Sequence, residues 1–383
     1  MKLKFILGDI NNSIADYKAK IDMNLSKDEI LDSYKKELDK IYENKISVSS
    51  FNACNINSYS YDILSIFFDY FIDYNHDIGF INLYFDNEEI LEEYKRNYYK
   101  IKNEFNRKKD TLANDVDKVY NSNKSVLIFK DTRYQYINDE LLINSINDSK
   151  SKTKLYDEEF ELAEMKENND LAKVLLTDDR LISASLSYVV KKLKTAILNI
   201  GDGIHPGGNV IHGGVTTENS ICRISTLYPL LNQPYLFDEY YGHNRSLNNI
   251  FSSKVIYIPN VYIFKTDEEY PSLLHKDDWY KINVLTISSP NESENSILDD
   301  ELYDIVYKRL DQVFKVAVVN NIEVLVLTAF DCGNNLNNPI ICAKACKDIL
   351  EKYKKSFKII HFAIPLKYID KYNYDVYKRI LGL

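Results

Sequence analysis

A glycine-rich stretch near the middle of the chain carries the residues best suited to chemistry. It reads HPGGNVIHGGVTTENS over residues 205–220 and holds four of the 11 glycines in the 383-residue sequence. Glycines at this density let backbone N–H groups approach a ligand closely, and Glu218 near the end of the stretch can donate or accept a proton. The stretch therefore predicts a ligand-binding loop beside a proton-transfer group.

Three loops are expected to meet at one edge of a sheet. The first covers residues 201–209, the second covers residues 213–219 and leads into a helix, and the third covers residues 331–339. Glycine-rich turns and helix N-termini present unpaired N–H groups, so two such loops facing each other suit a diphosphate. Each glycine pair taken alone is equally consistent with a hairpin turn. The sequence has neither a GxxxxGK[ST] phosphate loop nor a G-x-G-x-x-G fingerprint.

Alternating strands and helices are predicted to position these loops. The predicted strands are 173–177, 196–200, 255–258, 284–287, 324–327 and 359–364, and the predicted helices are 178–193, 218–231, 299–320 and 340–354. Short apolar strands separated by helices indicate a mostly parallel sheet that is covered on both faces. Ligands bind such sheets at the carboxyl ends of the strands, and the first loop directly follows the strand at 196–200.

The first 150 residues have a different composition. All eight prolines lie at or after Pro206, and only Gly8 and Gly79 precede residue 200. Such a change indicates a change of architecture, and the polar residues 147–154 are the best linker candidate. We therefore expect a mainly helical domain at 1–150 and an α/β domain at 151–383.

Helical periodicity supports the N-terminal assignment. Ser26 and Glu29 form a capping box before a helix whose apolar face carries Ile30, Leu31, Tyr34, Leu38, Ile41 and Tyr42. Residues 62–73 predict a buried helix, residues 87–108 an amphipathic helix, and residues 125–130 (SVLIFK) a strand.

Composition excludes several classes of protein. The net charge of −9 argues against a broad nucleic-acid-binding face, and no apolar run is long enough to predict a transmembrane helix. No signal-peptide pattern is present, and five scattered cysteines indicate a reducing cytoplasm rather than a disulfide framework. Cys342 and Cys346 share a helical face, where packing is favoured over a metal pair. We expect no metal and no cofactor.

Several stretches resemble one family in order along the chain. They are LNIGDGIHPGGN, TTENSICRISTLYPLL, YYGHNR, KVIYIPNVYIFK, TISSPN, LTAFDCGNNLNNP and IIHFAI. From about Leu176 to Pro365 the chain resembles the microbial-type poly(ADP-ribose) glycohydrolases. The resemblance implies a three-layer α/β/α macrodomain with a mixed, mostly parallel sheet, preceded by a mainly helical N-terminal region. It implies ADP-ribose or an ADP-ribosylated macromolecule as the partner, with no membrane.

The resemblance also implies which residues bind. The diphosphate is expected between the first and third loops, the distal ribose against Thr217–Asn219, and the adenine beside Phe362. The implied binding residues are Asp202, Gly207, Gly208, Asn209, Val210, Gly213, Gly214, Thr217, Gly333, Asn334, Asn335 and Phe362.

The catalytic position departs from the family pattern. The family has Gln-Glu-Glu, with the last glutamate catalytic, where this chain has Thr217–Glu218–Asn219. A carboxamide cannot donate and reclaim a proton, and loss of a general acid lowers a rate roughly 10²–10⁴-fold. In addition, Asp202 replaces the usual asparagine and Asn335 replaces an aromatic of the third loop.

These departures leave three functions open. The first is an ADP-ribosyl hydrolase with Glu218 as the remodelled acid, and the second is a non-catalytic reader of ADP-ribose or a related nucleotide. The third is a structural or interaction protein with a vestigial pocket. Other side chains near the loops also suggest chemistry, although packing or a turn is at least as good an explanation for each; they are Asp202, Asp331, His205, His212, His243, Cys332, Tyr240 and Tyr241.

Overall fold

The computed structural model of the protein describes the chain except for residues 1, 45, 47, 55, 74–79, 99–100, 102–115, 166, 248–249, 291–296, 298, 331, 333–336 and 367–368. The chain divides into two compact units. The first comprises Met1–Val116, Glu292–Leu302 and Lys367–Tyr372, and the second comprises Asp117–Asn291, Tyr303–Leu366 and Asn373–Leu383. The first break between the units, after Val116, thus lies upstream of the boundary that we predicted at residue 150.

The first unit contains a four-stranded parallel sheet that the sequence analysis did not predict. Its strands are β1 (Lys2–Leu7), β2 (Tyr17–Ala19), β3 (Val48–Asn52) and β4 (Phe80–Phe85), in the order β1-β4-β3-β2. All three strand pairs are parallel. The region is therefore mainly helical, as predicted, but its helices accompany a sheet.

The helices of the first unit follow their sequence signals. Helix α1 (Lys27–Glu43) begins at the predicted capping box, where the Glu29 carboxylate accepts hydrogen bonds from the Ser26 N–H and hydroxyl. Helix α2 (Ser60–Asp73) covers the predicted buried helix. Residues 88–98 are helical, whereas residues 102–108 of that predicted helix lie outside the described residues.

The second unit is built on a seven-stranded sheet. Its strands are β5 (Lys154–Tyr156), β6 (Lys173–Thr177), β7 (Thr195–Ile200), β8 (Val255–Ile263), β9 (Tyr280–Ile287), β10 (Val324–Leu327) and β11 (Ile359–Ala363). Their order is β5-β8-β9-β7-β10-β11-β6. Only the β5–β8 and β8–β9 pairs are antiparallel. The sheet is thus mixed and mostly parallel.

Helices precede, connect and follow these strands along the chain. They are α3 (Val116–Asn138), α4 (Glu140–Lys152), α5 (Leu181–Val190), α6 (Thr217–Ile224), α7 (Leu227–Leu231), α8 (Asp299–Val319), α9 (Pro339–Tyr353) and α10 (Ile369–Leu381). Residues 234–245 are also helical and include a π-helical turn at Phe237–Gly242. Among the residues with described structure, no helix combines the length and apolar character needed to span a membrane.

Both faces of the seven-stranded sheet are buried at its inner strand β10. Val324 and Val326 of β10 belong to an apolar cluster that includes Leu181 of α5. Leu325 and Leu327 alternate with them, so they lie on the opposite face, and they are also almost fully buried. The predicted three-layer α/β/α macrodomain with a mixed, mostly parallel sheet is confirmed.

Two local predictions are wrong. Residues 125–130 form part of helix α3 rather than a strand. Phe129, Thr132 and Tyr136 are buried at helical spacing, so packing of one helical face overrides the β-propensity of SVLIFK.

The predicted linker at 147–154 is also regular structure, because it forms the end of α4 and the start of β5. Asp139 caps α4 by accepting the backbone N–H groups of Leu141 and Leu142. Ser145 and Ser149 lie on its buried face, and the Ser149 hydroxyl donates to the Asn260 carbonyl at 3.2 Å. Small serines that pack closely against a neighbouring segment thus gave a misleading polar signal.

Candidate functional site

The Glu218 carboxyl joins the first loop to the start of α6. One oxygen, Oε2, accepts the backbone N–H of Asp202 at 3.0 Å, and Oε1 accepts Nδ2 of Asn199 at 3.1 Å. Asn199 lies near the end of β7, so the strand, the loop and the helix all converge on this group. The side chain is buried, with only 2% of its surface exposed. The structure thus brings two of the predicted site residues, Glu218 and Asp202, together.

Burial changes the protonation of Glu218. The pKa of this carboxyl is raised from 4.5 to about 8, chiefly by desolvation; the two hydrogen bonds oppose the rise and the nearby Asp202 charge adds to it. The carboxyl therefore holds its proton at neutral pH. A protonated carboxyl at a loop junction can act as a general acid.

Asn219 has a different environment. Its Oδ1 accepts the Thr216 N–H at 3.0 Å, its own N–H donates to Thr216 Oγ1 at 3.3 Å, and its Nδ2 donates to the Gly207 carbonyl at 2.7 Å. The first two contacts make the capping box that begins α6. Because the side chain is fully buried and both ends of its carboxamide are engaged, Asn219 clamps the two loops together.

Glycine is required where the first loop closes over these side chains. A Cβ at Gly208 would lie 3.2 Å from Asn219 Nδ2 and 3.3 Å from Glu218 Oε2, and its φ of +55° favours glycine. A Cβ at Gly201 would lie only 2.7 Å from Glu218 Oε1. The glycines therefore allow the backbone to approach the carboxyl directly.

Asp202 makes a local turn. Its Oδ1 accepts the N–H groups of Ile204 at 2.7 Å and His205 at 2.8 Å, so the turn interpretation of this residue is confirmed. One of its two oxygens is thereby committed to the backbone. Asp202 contributes to the site chiefly through its N–H, which binds Glu218.

The remaining predicted binding residues differ in burial. Gly207, Val210 and Gly213 are buried, Gly208 and Gly214 are half-buried, and Asn209 and Thr217 are exposed. Gly333, Asn334, Asn335 and the nearby Asp331 lie outside the described residues. Phe362 is fully buried with its ring packed against Tyr377, 5.6 Å between centroids, so an adenine contact there would require this packing to open.

The other candidates pack or make local contacts. Tyr240 and Tyr241 are fully buried in an edge-to-face pair, and Cys332 is 1% exposed with its thiol directed at the Phe330 carbonyl. Nε2 of His243 lies 3.7 Å from Oε1 of Glu158.

Within the described ranges, no three His, Cys, Asp or Glu side chains are grouped to hold a metal ion. None of the five cysteines forms a disulfide, and all five are buried.

Sequence reasoning missed Asn199 as a site residue. It is fully buried, and its Nδ2 also lies 3.2 Å from Thr286 Oγ1. Its Oδ1 has no hydrogen-bond partner among the described residues, which leaves an acceptor beside Glu218. The available signal was a polar residue near the end of the otherwise apolar strand AILNI, just before the glycine-rich loop.

The chain that forms this buried Glu218 carboxyl and its glycine-rich loops is similar to known proteins. Residues 122–266 match the family described as microbial-type PARG, catalytic domain, where PARG is poly(ADP-ribose) glycohydrolase. The predicted resemblance is confirmed. No curated protein sequence matches the chain.

Solved PARG structures share the fold. PARG from Thermomonospora curvata is 20% identical with a TM-score of 0.59, covering 67% of this chain and 98% of that one. The same protein bound to the inhibitor ADP-HPD gives a TM-score of 0.58 at 20% identity, with coverage of 67% and 99%. PARG from Deinococcus radiodurans in complex with ADP-ribose is 23% identical with a TM-score of 0.54, covering 62% and 96%.

Proposed function

We propose that this protein binds ADP-ribose and hydrolyses the ribose glycosidic bond of ADP-ribosylated substrates, with Glu218 as the general acid. The observation that carries the proposal is the Glu218 carboxyl, which is buried and held by the Asp202 N–H and Asn199. A pKa raised to about 8 keeps it protonated at neutral pH. The solved PARG structures that contain ADP-ribose or ADP-HPD support the ligand class.

The loops suit the diphosphate. The first loop brings glycine backbone close to Glu218 and Asn219, and α6 begins beside it with an N-terminus that carries partial positive charge. Asn209 of the first loop and Thr217 at the start of α6 are both exposed. We infer that the diphosphate contacts the first loop and that the distal ribose lies over Glu218.

The chemistry follows from the protonated carboxyl. Glu218 would donate its proton to the leaving oxygen as the bond to the ribose anomeric carbon breaks, and positive charge would develop on the ribose ring. The resulting carboxylate would then take a proton from the water that attacks the same carbon. The products are free ADP-ribose and the unmodified acceptor, and Glu218 regains its proton.

A specific observation favours a second candidate, a non-catalytic reader. The resemblance aligns Asn219 with the family's catalytic glutamate, and both ends of its carboxamide contact loop backbone. A reader would keep Glu218 only to hold the ribose hydroxyls. The buried cysteines form no disulfides, which is compatible with a cytoplasmic location in either case.

Two measurements test the proposal. Calorimetry with ADP-ribose and ADP should show tighter binding of ADP-ribose, because only that ligand places a ribose over Glu218. Release of ADP-ribose should be measured from polymer, from mono-ADP-ribosylated protein and from ADP-ribosylated nucleic acid. Binding without release from any of the three would support the reader, and absence of binding would exclude both candidates.

A further inference from the structure

Phe251 is held against the first loop of the site. Its ring packs on Gly203 so closely that a Cβ there would lie 2.7 Å from one ring carbon and 2.8 Å from another. The Phe251 backbone has a φ of +63°, in the left-handed region that a bulky residue rarely adopts. A bulky residue in this conformation persists only when surrounding contacts enforce it.

Arg309 of α8 supplies those contacts. Its Nη2 donates to the carbonyls of Ile250 and of Phe251, the latter at 2.9 Å. The side chain is only 1% exposed, and its Nε and Nη1 have no hydrogen-bond partner among the described residues. A buried guanidinium is unfavourable unless its contacts stabilise something specific, and here the hydrogen bonds go to the strained segment.

Gly203 is linked through the backbone to the Glu218 carboxyl. Gly203 directly follows Asp202, whose N–H donates to Glu218 Oε2 at 3.0 Å. A shift of the Gly203 backbone would therefore move the donor that holds the carboxyl. Displacements of about 1 Å at such a group are large enough to change binding and rate substantially.

We propose that Phe251, fixed by Arg309, is a positioning residue that sets the place of the first loop and thereby the preference of the site for ligands with a distal ribose. This inference rests on the proposed function, because it assigns the ribose to the Glu218 side of the loop. It assigns Phe251 an effect on recognition in addition to its packing.

A double-mutant cycle tests the contact. Gly203→Ala adds the methyl group that meets the ring, Phe251→Ala removes the ring, and the double variant removes the clash. The readout is the ratio of the Kd for ADP to the Kd for ADP-ribose, with the midpoint of thermal unfolding measured for each variant. AMP serves as a second control ligand without the distal ribose.

The expected result is selective and non-additive. Gly203→Ala should weaken ADP-ribose binding by about 10-fold or more, and should weaken ADP binding by a clearly smaller factor because ADP contacts the first loop only through its diphosphate. The double variant should bind ADP-ribose no worse than Phe251→Ala alone. Additive losses in the cycle, or equal losses for ADP and ADP-ribose, would overturn the inference. A wild-type protein that binds neither ligand would overturn the proposed function as well, so the two failures are distinguishable.

Conservative variants keep the test valid if an alanine variant folds poorly. Phe251→Leu retains apolar volume without the ring, and Arg309→Lys retains the charge with a different donor geometry. Both should lower the ADP to ADP-ribose Kd ratio at a temperature where they remain folded. An unchanged ratio in both would show that the contact only stabilises the fold.

Discussion

The Asn219 carboxamide ties the two glycine-rich loops together by donating from Nδ2 to the Gly207 carbonyl at 2.7 Å. The same side chain accepts the Thr216 N–H, so both of its polar ends are used within the protein. Asn219 is thus a structural clamp. The proposed acid function falls to the adjacent Glu218.

Asn219→Asp should destabilise the protein. The substitution replaces the Nδ2 donor by an oxygen that faces the Gly207 carbonyl, and a buried polar group left unsatisfied costs about 1–3 kcal/mol. Chemical denaturation should show this decrease in the free energy of unfolding. Asn209→Asp is the matched control, because Asn209 is exposed and makes no capping hydrogen bond with its side chain; equal effects of the two substitutions would contradict the clamp.

Asn219→Glu should not create or restore activity. Gly214 packs so closely on Asn219 Oδ1 that it lacks room even for a Cβ, and a longer side chain would also lose the donor to Gly207. We expect lower thermal stability and no increase in ADP-ribose release over the wild-type protein. A clear gain of release in this variant would show that the site is an inactivated hydrolase missing only that acid.

Gly208→Ala should weaken ligand binding. Its backbone φ of +55° makes a Cβ unfavourable, by about 1 kcal/mol, and that Cβ would also press on Asn219 and Glu218. Gly382→Ala is the matched control, since its φ is +74° but nothing lies within 4 Å of the added Cβ. Both variants should lose stability, but only Gly208→Ala should lose ADP-ribose affinity in calorimetry; similar affinities would place the ligand away from this loop.

Glu218 should make stability depend on pH. Its pKa is raised from 4.5 to about 8 on folding, so the folded protein binds more protons than the unfolded chain between these values. This contribution is complete below pH 4.5 and is lost as the pH rises to about 8. The free energy of unfolding should therefore fall over this range more steeply in the wild-type protein than in Glu218→Gln, and parallel profiles would show that Glu218 is ionised throughout.

The strands of the second unit were predicted well because each has a clear local sequence pattern. KVLLT, AILNI and VLVL are short apolar runs that end at polar or glycine residues, and the observed strands include them almost unchanged. The sheet of the first unit was missed because its strands carry buried polar residues. Ser50 in β3 is fully buried but satisfied by the Ser13 hydroxyl at 2.6 Å, a contact between distant residues that no local pattern reveals.

In the candidate site, too, contacts between residues that are distant in sequence could not be predicted. Glycine spacing and the resemblance identified the first loop and Glu218 from the sequence. The clamp by Asn219 and the contact of Phe251 with Gly203 depend on side chains that meet only after folding. Local patterns therefore predicted the candidate site, whereas the contacts of Glu218 and Asn219 are visible only in the three-dimensional structure.

The rate of ADP-ribose release by the wild-type protein and by Glu218→Gln tests the proposed acid most directly. Glutamine keeps the size of the side chain but cannot donate and reclaim the proton, so release should fall by at least about 100-fold while ADP-ribose still binds. The wild-type rate should also decline as the pH rises through about 8, where the Glu218 carboxyl loses its proton. Equal release by the two proteins would contradict the assignment of Glu218 as the acid.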